Sequence, residues 1–180
     1  PDAFLGLIGQ IRAAAPRAGI RSNVICGFPG ETDADLTVLH DFLVAAELDA
    51  VGVFGYSDED GTEAENLGDK LDADTIGARV ARISALVEEL TTQRAEDRIG
   101  SEVVVLIERE ESEDEDCSGR AAHQAPEVDG ECVVVDGETG PAVEDLVVGD
   151  LVRCRVIDSE GVDLVVEPVA VIPRAAVASP

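Results

Sequence analysis

Two stretches of the chain carry residue types that could cradle a ligand. Asn23-Val24-Ile25-Cys26 runs into Gly27-Phe28-Pro29-Gly30-Glu31-Thr32, and Val51-Gly52-Val53-Phe54 runs into Gly55-Tyr56-Ser57, with Gly61-Thr62 just beyond. Each reads as a short apolar strand opening into a glycine-bearing loop, with a helix to follow. Glycine lets backbone approach a ligand closely, and Pro29 fixes the turn. Ile25 offers an apolar surface to a flat ring, and main-chain groups beside it can read polar edges. No lysine follows the glycines at phosphate-loop spacing, which disfavours an NTPase. An ordinary strand-to-helix turn accounts for the same residues, so the pattern alone leaves both readings open.

The surrounding periodicity shows what must position these loops. Phe4, Leu7, Ile8 and Ile11 recur at helical spacing until Pro16 and Gly19 stop the run. Thr32 is placed to cap a helix whose first turn holds Asp33 and Asp35, and Leu36, Leu39, Leu43 and Ala46 form its apolar stripe. Strand, helix and strand in this order make a βαβ unit with parallel strands. In a parallel α/β barrel the loops after the strands line the ligand-binding end. Residues 58–72 read as an acidic loop. Asp72 can cap the longest helix, where Ile76, Val80, Ile83, Val87 and Leu90 repeat, and Gly100 closes it.

After Gly100 helical periodicity disappears. Short β-branched runs at Val103 to Ile107, Cys132 to Val135, Leu151 to Ile157 and Val162 to Val166 are separated by turn signals such as Asp129-Gly130, Asp136-Gly137 and Gly149-Asp150. This spacing predicts a small antiparallel barrel. Alternation sends Val152, Cys154 and Val156 to one face of a strand, and Arg153 and Arg155 to the other. The expected domains are 1–99 and 100–167, with a loosely ordered tail at 168–180.

The chain has 13 Lys/Arg against 39 Asp/Glu, a formal net charge of -26. The excess runs throughout, with 8 basic and 19 acidic residues in 1–98, and 5 and 20 in 99–180. Phosphate binders neutralise charge with Lys and Arg, so any such surface here must be very local. A basic protein partner fits the field better, although acidity can also serve solubility alone. Cys26, Cys117, Cys132 and Cys154 lie too far apart in sequence for a zinc knuckle or redox dithiol, and no metal site is expected. His40 and His123 have no neighbouring Cys or second His, and structural or solvent roles are expected for both. No apolar run reaches the roughly 18 residues of a membrane span, and a soluble cytoplasmic protein with no membrane partner is expected. The chain has no Met and opens inside a helix-like run, so it reads as the C-terminal piece of something longer.

Cys26-Gly27-Phe28-Pro29-Gly30-Glu31-Thr32, Phe54-Gly55-Tyr56-Ser57 and Gly61-Thr62 resemble the radical S-adenosylmethionine methylthiotransferases. The second half is similar to their TRAM domain. Gly119-Arg120, Ala125-Pro126-Glu127-Val128-Asp129-Gly130 and Val148-Gly149-Asp150-Leu151-Val152 resemble the members that methylthiolate an aspartate of a small-subunit ribosomal protein. The resemblance covers nearly all of residues 1–167. It implies an α/β fold, a partial parallel radical SAM βα barrel, followed by a small all-β antiparallel barrel (TRAM).

It also implies S-adenosylmethionine as cofactor, with Ile25, Gly27, Phe54 and Tyr56 as cofactor-binding residues. Glu31 either braces the turn or touches ligand. Two 4Fe-4S clusters are implied for the full-length protein. One generates a 5'-deoxyadenosyl radical and the other serves methylthio transfer, and their cysteine triplets are absent from this chain. The chain by itself is therefore expected to be inactive, with no catalytic residue of its own. The implied partners are a basic ribosomal protein as substrate and a reductant protein, while the acidic charge disfavours nucleic acid. TRAM domains generally bind RNA, so a transfer-RNA methylthiotransferase is one alternative; a non-catalytic binding module is another. Asp58 stands where the family usually has Pro, which implies a locally altered loop.

Overall fold

The structure is a computed structural model that describes residues 1–126 and 129–173. Glu127 and Val128 of the Ala125 to Gly130 motif, and residues 174–180 of the tail, lie outside the described residues. The chain divides into two compact units. The first holds Pro1–Pro16 and Ile20–Thr91, the second Arg17–Gly19 and Thr92 onward.

The first unit begins with α1 (Asp2–Ala14), followed by β1 (Arg21–Cys26), α2 (Asp33–Ala46) and β2 (Ala50–Gly55). A short 3-10 turn at Ala64–Asn66 precedes α3 (Ala73–Glu96). β1 and β2 pair in parallel, with Ile25 opposite Phe54 and Cys26 opposite Gly55. Thr32 caps α2 in a reciprocal box with Asp35: its hydroxyl receives the Asp35 N–H, and the Asp35 carboxylate receives the Thr32 N–H. Asp72 accepts the Thr75 N–H at 2.8 Å at the start of α3. Ile8, Cys26, Leu36, Leu43, Ala46, Leu48, Ile83 and Val87 make the core, joined by Val24, Val51, Val53, Val80 and Leu90. The α3 stripe thus packs on the sheet. The α1 stripe is mostly uncovered: Ile8 is buried, whereas Phe4, Leu7 and Ile11 are exposed.

The second unit is a closed barrel of β3 (Glu102–Arg109), β4 (Ser118–Ala121), β5 (Cys132–Val134), β6 (Leu151–Glu160) and β7 (Asp163–Ile172), in the order β3-β4-β5-β7-β6. The expectation of a purely antiparallel barrel is corrected here, because β5 and β7 pair in parallel. Parity is the reason. Strands in a closed ring of five cannot alternate direction all the way round, so one neighbouring pair must run the same way. The tail is also shorter than expected, since Pro168 to Ile172 continue β7 and Pro168 is fully buried. Pro168 faces Cys154 beside a register shift, the kind of irregularity where a strand tolerates a residue without an N–H.

Val105, Ile107, Val152, Cys154, Val156, Leu164 and Val166 fill the barrel with no exposed surface. Cys117 and Cys132 join them. The Cys132 thiol donates to Gln124 Oε1 at 3.1 Å. Burial pushes the Cys132 and Cys154 thiols up to about 12 from an ordinary value of 9.0. A raised folded-state value means the neutral thiol stabilises the fold. That contribution is whole below the unfolded value near 8.5 and is lost as pH climbs toward about 12. The thermal midpoint of the barrel is therefore expected to fall progressively above about pH 9. Burial raises the Cys117 thiol of the same barrel as well, so it adds to the effect. Circular dichroism melts at a series of pH values check this, and a midpoint that stays level from neutrality to pH 11 contradicts it.

Candidate cofactor-binding face

The predicted residues lie at the carboxyl ends of two paired strands. Ile25 and Phe54 are register partners. Their neighbours in sequence, Val24, Cys26 and Val53, join the core with the helices, so strand alternation turns Ile25 and Phe54 to the opposite face. Both are uncommonly open for large apolar side chains, at 56% and 55% exposed. Gly52 sits beneath Phe54; a Cβ there would meet Asn23 Oδ1 at 2.5 Å and Phe54 Cε2 at 2.8 Å. The result is an apolar surface more than half open at both side chains.

Gly27 and Tyr56 each lie one residue past their strand, and the Tyr56 N–H donates to Cys26 O at 2.9 Å, extending the ladder. Gly27 has φ +82, and a Cβ there would approach Ile76 Cγ1 to 2.5 Å. Its contribution is space for α3 and a left-handed turn rather than a free donor, because its N–H is already engaged. Both Glu31 carboxylate oxygens accept it at 3.0 Å. Glu31 is in turn held by Arg79 of α3, whose Nη1 lies 2.6 Å from Glu31 Oε1 and donates to Glu31 O at 3.0 Å. Nη2 reaches Asp33 at 2.9 Å. The Arg79 and Glu31 side chains are each only 11% exposed. Hydrogen bonding to Glu31 raises the Arg79 pKa further, so the guanidinium stays charged. Of the two roles open to Glu31, bracing the turn is the one its contacts fill. Burial, followed by the Glu31 charge, raises the Cys26 thiol.

Tyr56 packs edge-on against Phe28, ring centroids 5.4 Å apart. Its hydroxyl donates to Asp58 at 2.8 Å, and Lys70 Nζ reaches both Asp58 oxygens at 2.8 Å. Lys70, followed by Tyr56, holds the Asp58 carboxyl below its ordinary range. The Asp58 departure thus has a local account, an ion pair tying the loop after β2 to the approach to α3. Arg79 and Lys70 were not singled out by sequence reasoning. Arg79 stands three residues after Ile76, on the same helical face, and Lys70 is the sole lysine of an acidic chain.

Among the described residues, no group of three His, Cys, Asp or Glu could hold a metal ion. All four cysteines are buried, with thiols shifted away from the thiolate that cluster ligation requires.

Residues 99–169 match the TRAM domain family. Over 169 residues, 93% of its length, the chain is 64% identical to the ribosomal protein uS12 methylthiotransferase RimO of Saccharopolyspora erythraea. By sequence, nearly the whole chain is similar to part of a RimO protein. The relative of the same name from Streptomyces avermitilis is 56% identical over 93% of the chain, and that from Frankia casuarinae 54% over 98%. The matched region is 33%, 32% and 36% of those RimO proteins respectively, so the chain spans about a third of the length of the curated relatives it matches. No helix among the described residues is long and apolar enough to cross a membrane.

Proposed function

We propose that the chain is the carboxyl-terminal part of a radical S-adenosylmethionine methylthiotransferase that adds a methylthio group to the β-carbon of an aspartate in ribosomal protein uS12. The observation that carries this reading is the 64% identity, across 93% of the chain, to a protein bearing that name. The geometry of the first unit supports it. The open Ile25 and Phe54 surface suits the adenine ring of S-adenosylmethionine, and Gly27 and Tyr56 bound it at the strand ends. Glu31 and Arg79 fix the Gly27 turn, while Asp58 and Lys70 fix the Tyr56 hydroxyl. When bound, S-adenosylmethionine supplies the adenosyl and methyl chemistry of the reaction. The iron-sulfur clusters find no fitting donor set among the described residues and would be held elsewhere in a larger polypeptide. The uncovered Phe4, Leu7, Ile25 and Phe54 are consistent with further barrel strands packing on this unit.

For the protein substrate the second unit offers acidity. Glu111, Glu113, Asp114, Glu115 and Asp116 are all exposed on the β3 to β4 connection, suited to a Lys/Arg-rich partner. A chimera tests the reading: the matching third of the Saccharopolyspora erythraea protein is exchanged for this chain, and uS12 is analysed by mass spectrometry. One methylthio group on a uS12 aspartate is expected. A folded, cluster-loaded chimera that leaves uS12 unmodified would overturn the reading, and methylthiolated transfer RNA in its place would favour the alternative substrate.

A further inference from the structure

Two consecutive residues, Asp69 and Lys70, join the loops that follow β1 and β2. From the first loop, the Gly30 N–H donates to Asp69 O at 2.9 Å. From the second, both Asp58 carboxylate oxygens accept from Lys70 Nζ at 2.8 Å. An ammonium has three donors, and this one also donates to Glu65 O at 2.7 Å. Glu65 in turn takes the Gly61 N–H on its carboxylate at 3.1 Å, which folds the segment from Asp58 to Lys70 back on itself.

The backbone at this junction is unusual. Asp69 sits at φ +54, in the left-handed region. Among the described residues, Glu47 at the end of α2 is the only other non-glycine there. A Cβ makes that conformation costly, and it persists where the surrounding structure over-determines it, ligand clamps being one recurring place. The turn at Asp69 sets its carbonyl on Gly30 while the next side chain reaches Asp58. The chain of contacts then ends on an aromatic ring. The Tyr56 hydroxyl donates to Asp58 Oδ1 at 2.8 Å, an oxygen that Lys70 also holds. Because the Tyr56 N–H extends the ladder to Cys26 O, strand alternation keeps Tyr56 on the side of Phe54. Its ring meets Phe28 of the first loop edge-on, at an interplanar angle of 75°.

We infer that Lys70 is a positioning residue for the cofactor face: acting through Asp58, it fixes the Tyr56 ring and holds the two loops at one separation. The inference rests on the reading of that face as the S-adenosylmethionine site. An Asp58 relieved of its ion pair gains by turning to water, and the Tyr56 hydroxyl then loses its acceptor. The ring is left held by Phe28 alone, and the Asp69 carbonyl loses the neighbour that anchors its turn. Lys70 and Asp58 side chains are 35% and 49% exposed. Ion pairs that open to solvent contribute little to overall stability. Removing Lys70 should therefore leave the fold in place and move the loops.

Tyr56 is the one tyrosine of the chain, so isotope-labelled tyrosine gives a single ring signal that reports on this site. In the 180-residue chain at neutral pH, Lys70→Met should move the Tyr56 Cζ resonance most of the way to its position in the denatured chain. Asp58→Asn, which approaches the same link from the other partner, should move it in the same direction. Lys70→Met added to Asp58→Asn should do nothing more, because the two residues act as one unit. Lys70→Arg keeps the charge and should restore the parental signal in part. Hydrogen exchange at the Gly30 amide should accelerate in Lys70→Met while that at Leu43 holds. In the methylthiotransferase chimera, Lys70→Met should raise KM for S-adenosylmethionine by about tenfold, the loss of a charge-assisted contact, with a smaller change in kcat. A parental Tyr56 signal and parental Gly30 exchange in Lys70→Met overturn the inference. So does an unchanged KM in an active chimera. A folded, cluster-loaded parent chimera without affinity for S-adenosylmethionine overturns the cofactor reading itself, and this case is told apart because Tyr56 and Gly30 still respond to Lys70.

Discussion

Gly119→Ala is expected to lower the thermal midpoint of the barrel by about 12 to 24 °C, or to prevent it from closing. Gly119 is the second residue of β4 and pairs with Ile107 on one side and Cys132 on the other. A Cβ there would lie 2.0 Å from Leu106 O and 2.8 Å from Leu106 C. Both are backbone atoms of β3, so no rotamer change relieves the overlap and the two strands must separate. Overpacking of this kind costs at least about 3 kcal/mol, and each kcal/mol is worth roughly 4 to 8 °C in a domain of this size. Differential scanning calorimetry of the variant gives the answer directly. A midpoint within experimental scatter of the parent would show that β3 and β4 can part without cost. Arg120→Gln is the useful comparison, because the Arg120 side chain only pairs with Glu108 on the outside, at 30% and 44% exposure, where an ion pair contributes about 0 to 1 kcal/mol.

Arg79→Met should have the second large effect, on the Gly27 turn. Its guanidinium touches the Glu31 carboxylate, and that carboxylate holds the Gly27 N–H with both oxygens. Without Arg79 the largely buried carboxylate gains more by turning to solvent than by staying on Gly27, and the turn loosens. Two readouts separate turn mobility from general instability. Hydrogen exchange at the Gly27 amide should accelerate while that at core amides such as Leu43 holds. In the methylthiotransferase chimera, kcat/KM should drop on the order of 100-fold, the scale of an approximately 1 Å misplacement at a reacting centre. Arg79→Lys keeps the charge but not the fork that spans Glu31 and Asp33, and should fall between the two. Unchanged Gly27 exchange in Arg79→Met would remove the bracing role.

The legible parts of the fold are those where one residue type has one physical use. Thr32 and Asp72 announce helix starts because their side chains satisfy amides that a helix leaves open, and both do so. The Ile76 to Leu90 stripe reads as a buried helix face for the same reason. β4 was missed because Ser118-Gly119-Arg120-Ala121 carries no β-branched residue: its place depends on the absence of a side chain at Gly119, a requirement visible only once β3 lies beside it. The parallel β5 to β7 pair was likewise hidden, since ring parity is a property of five strands together and not of any one. At the proposed cofactor face, Ile25 and Phe54 were pointed to by the family resemblance, and only the pairing of β1 with β2 puts them side by side. The partner that holds Glu31 comes from 48 residues downstream, beyond any local pattern.

Because β7 lies between β5 and β6 in the ring, the order of biosynthesis matters. β3 can pair with β4, and β4 with β5, as soon as they leave the ribosome, and β6 can then add to β3. Until Asp163–Ile172 has emerged, however, this ribbon ends in two unsatisfied edges, one on β5 and one on β6. The last strand made is the one that seals the ring, so closure is a late, all-at-once event. A nascent chain halted before Asp163 would be a sticky open sheet rather than a smaller barrel.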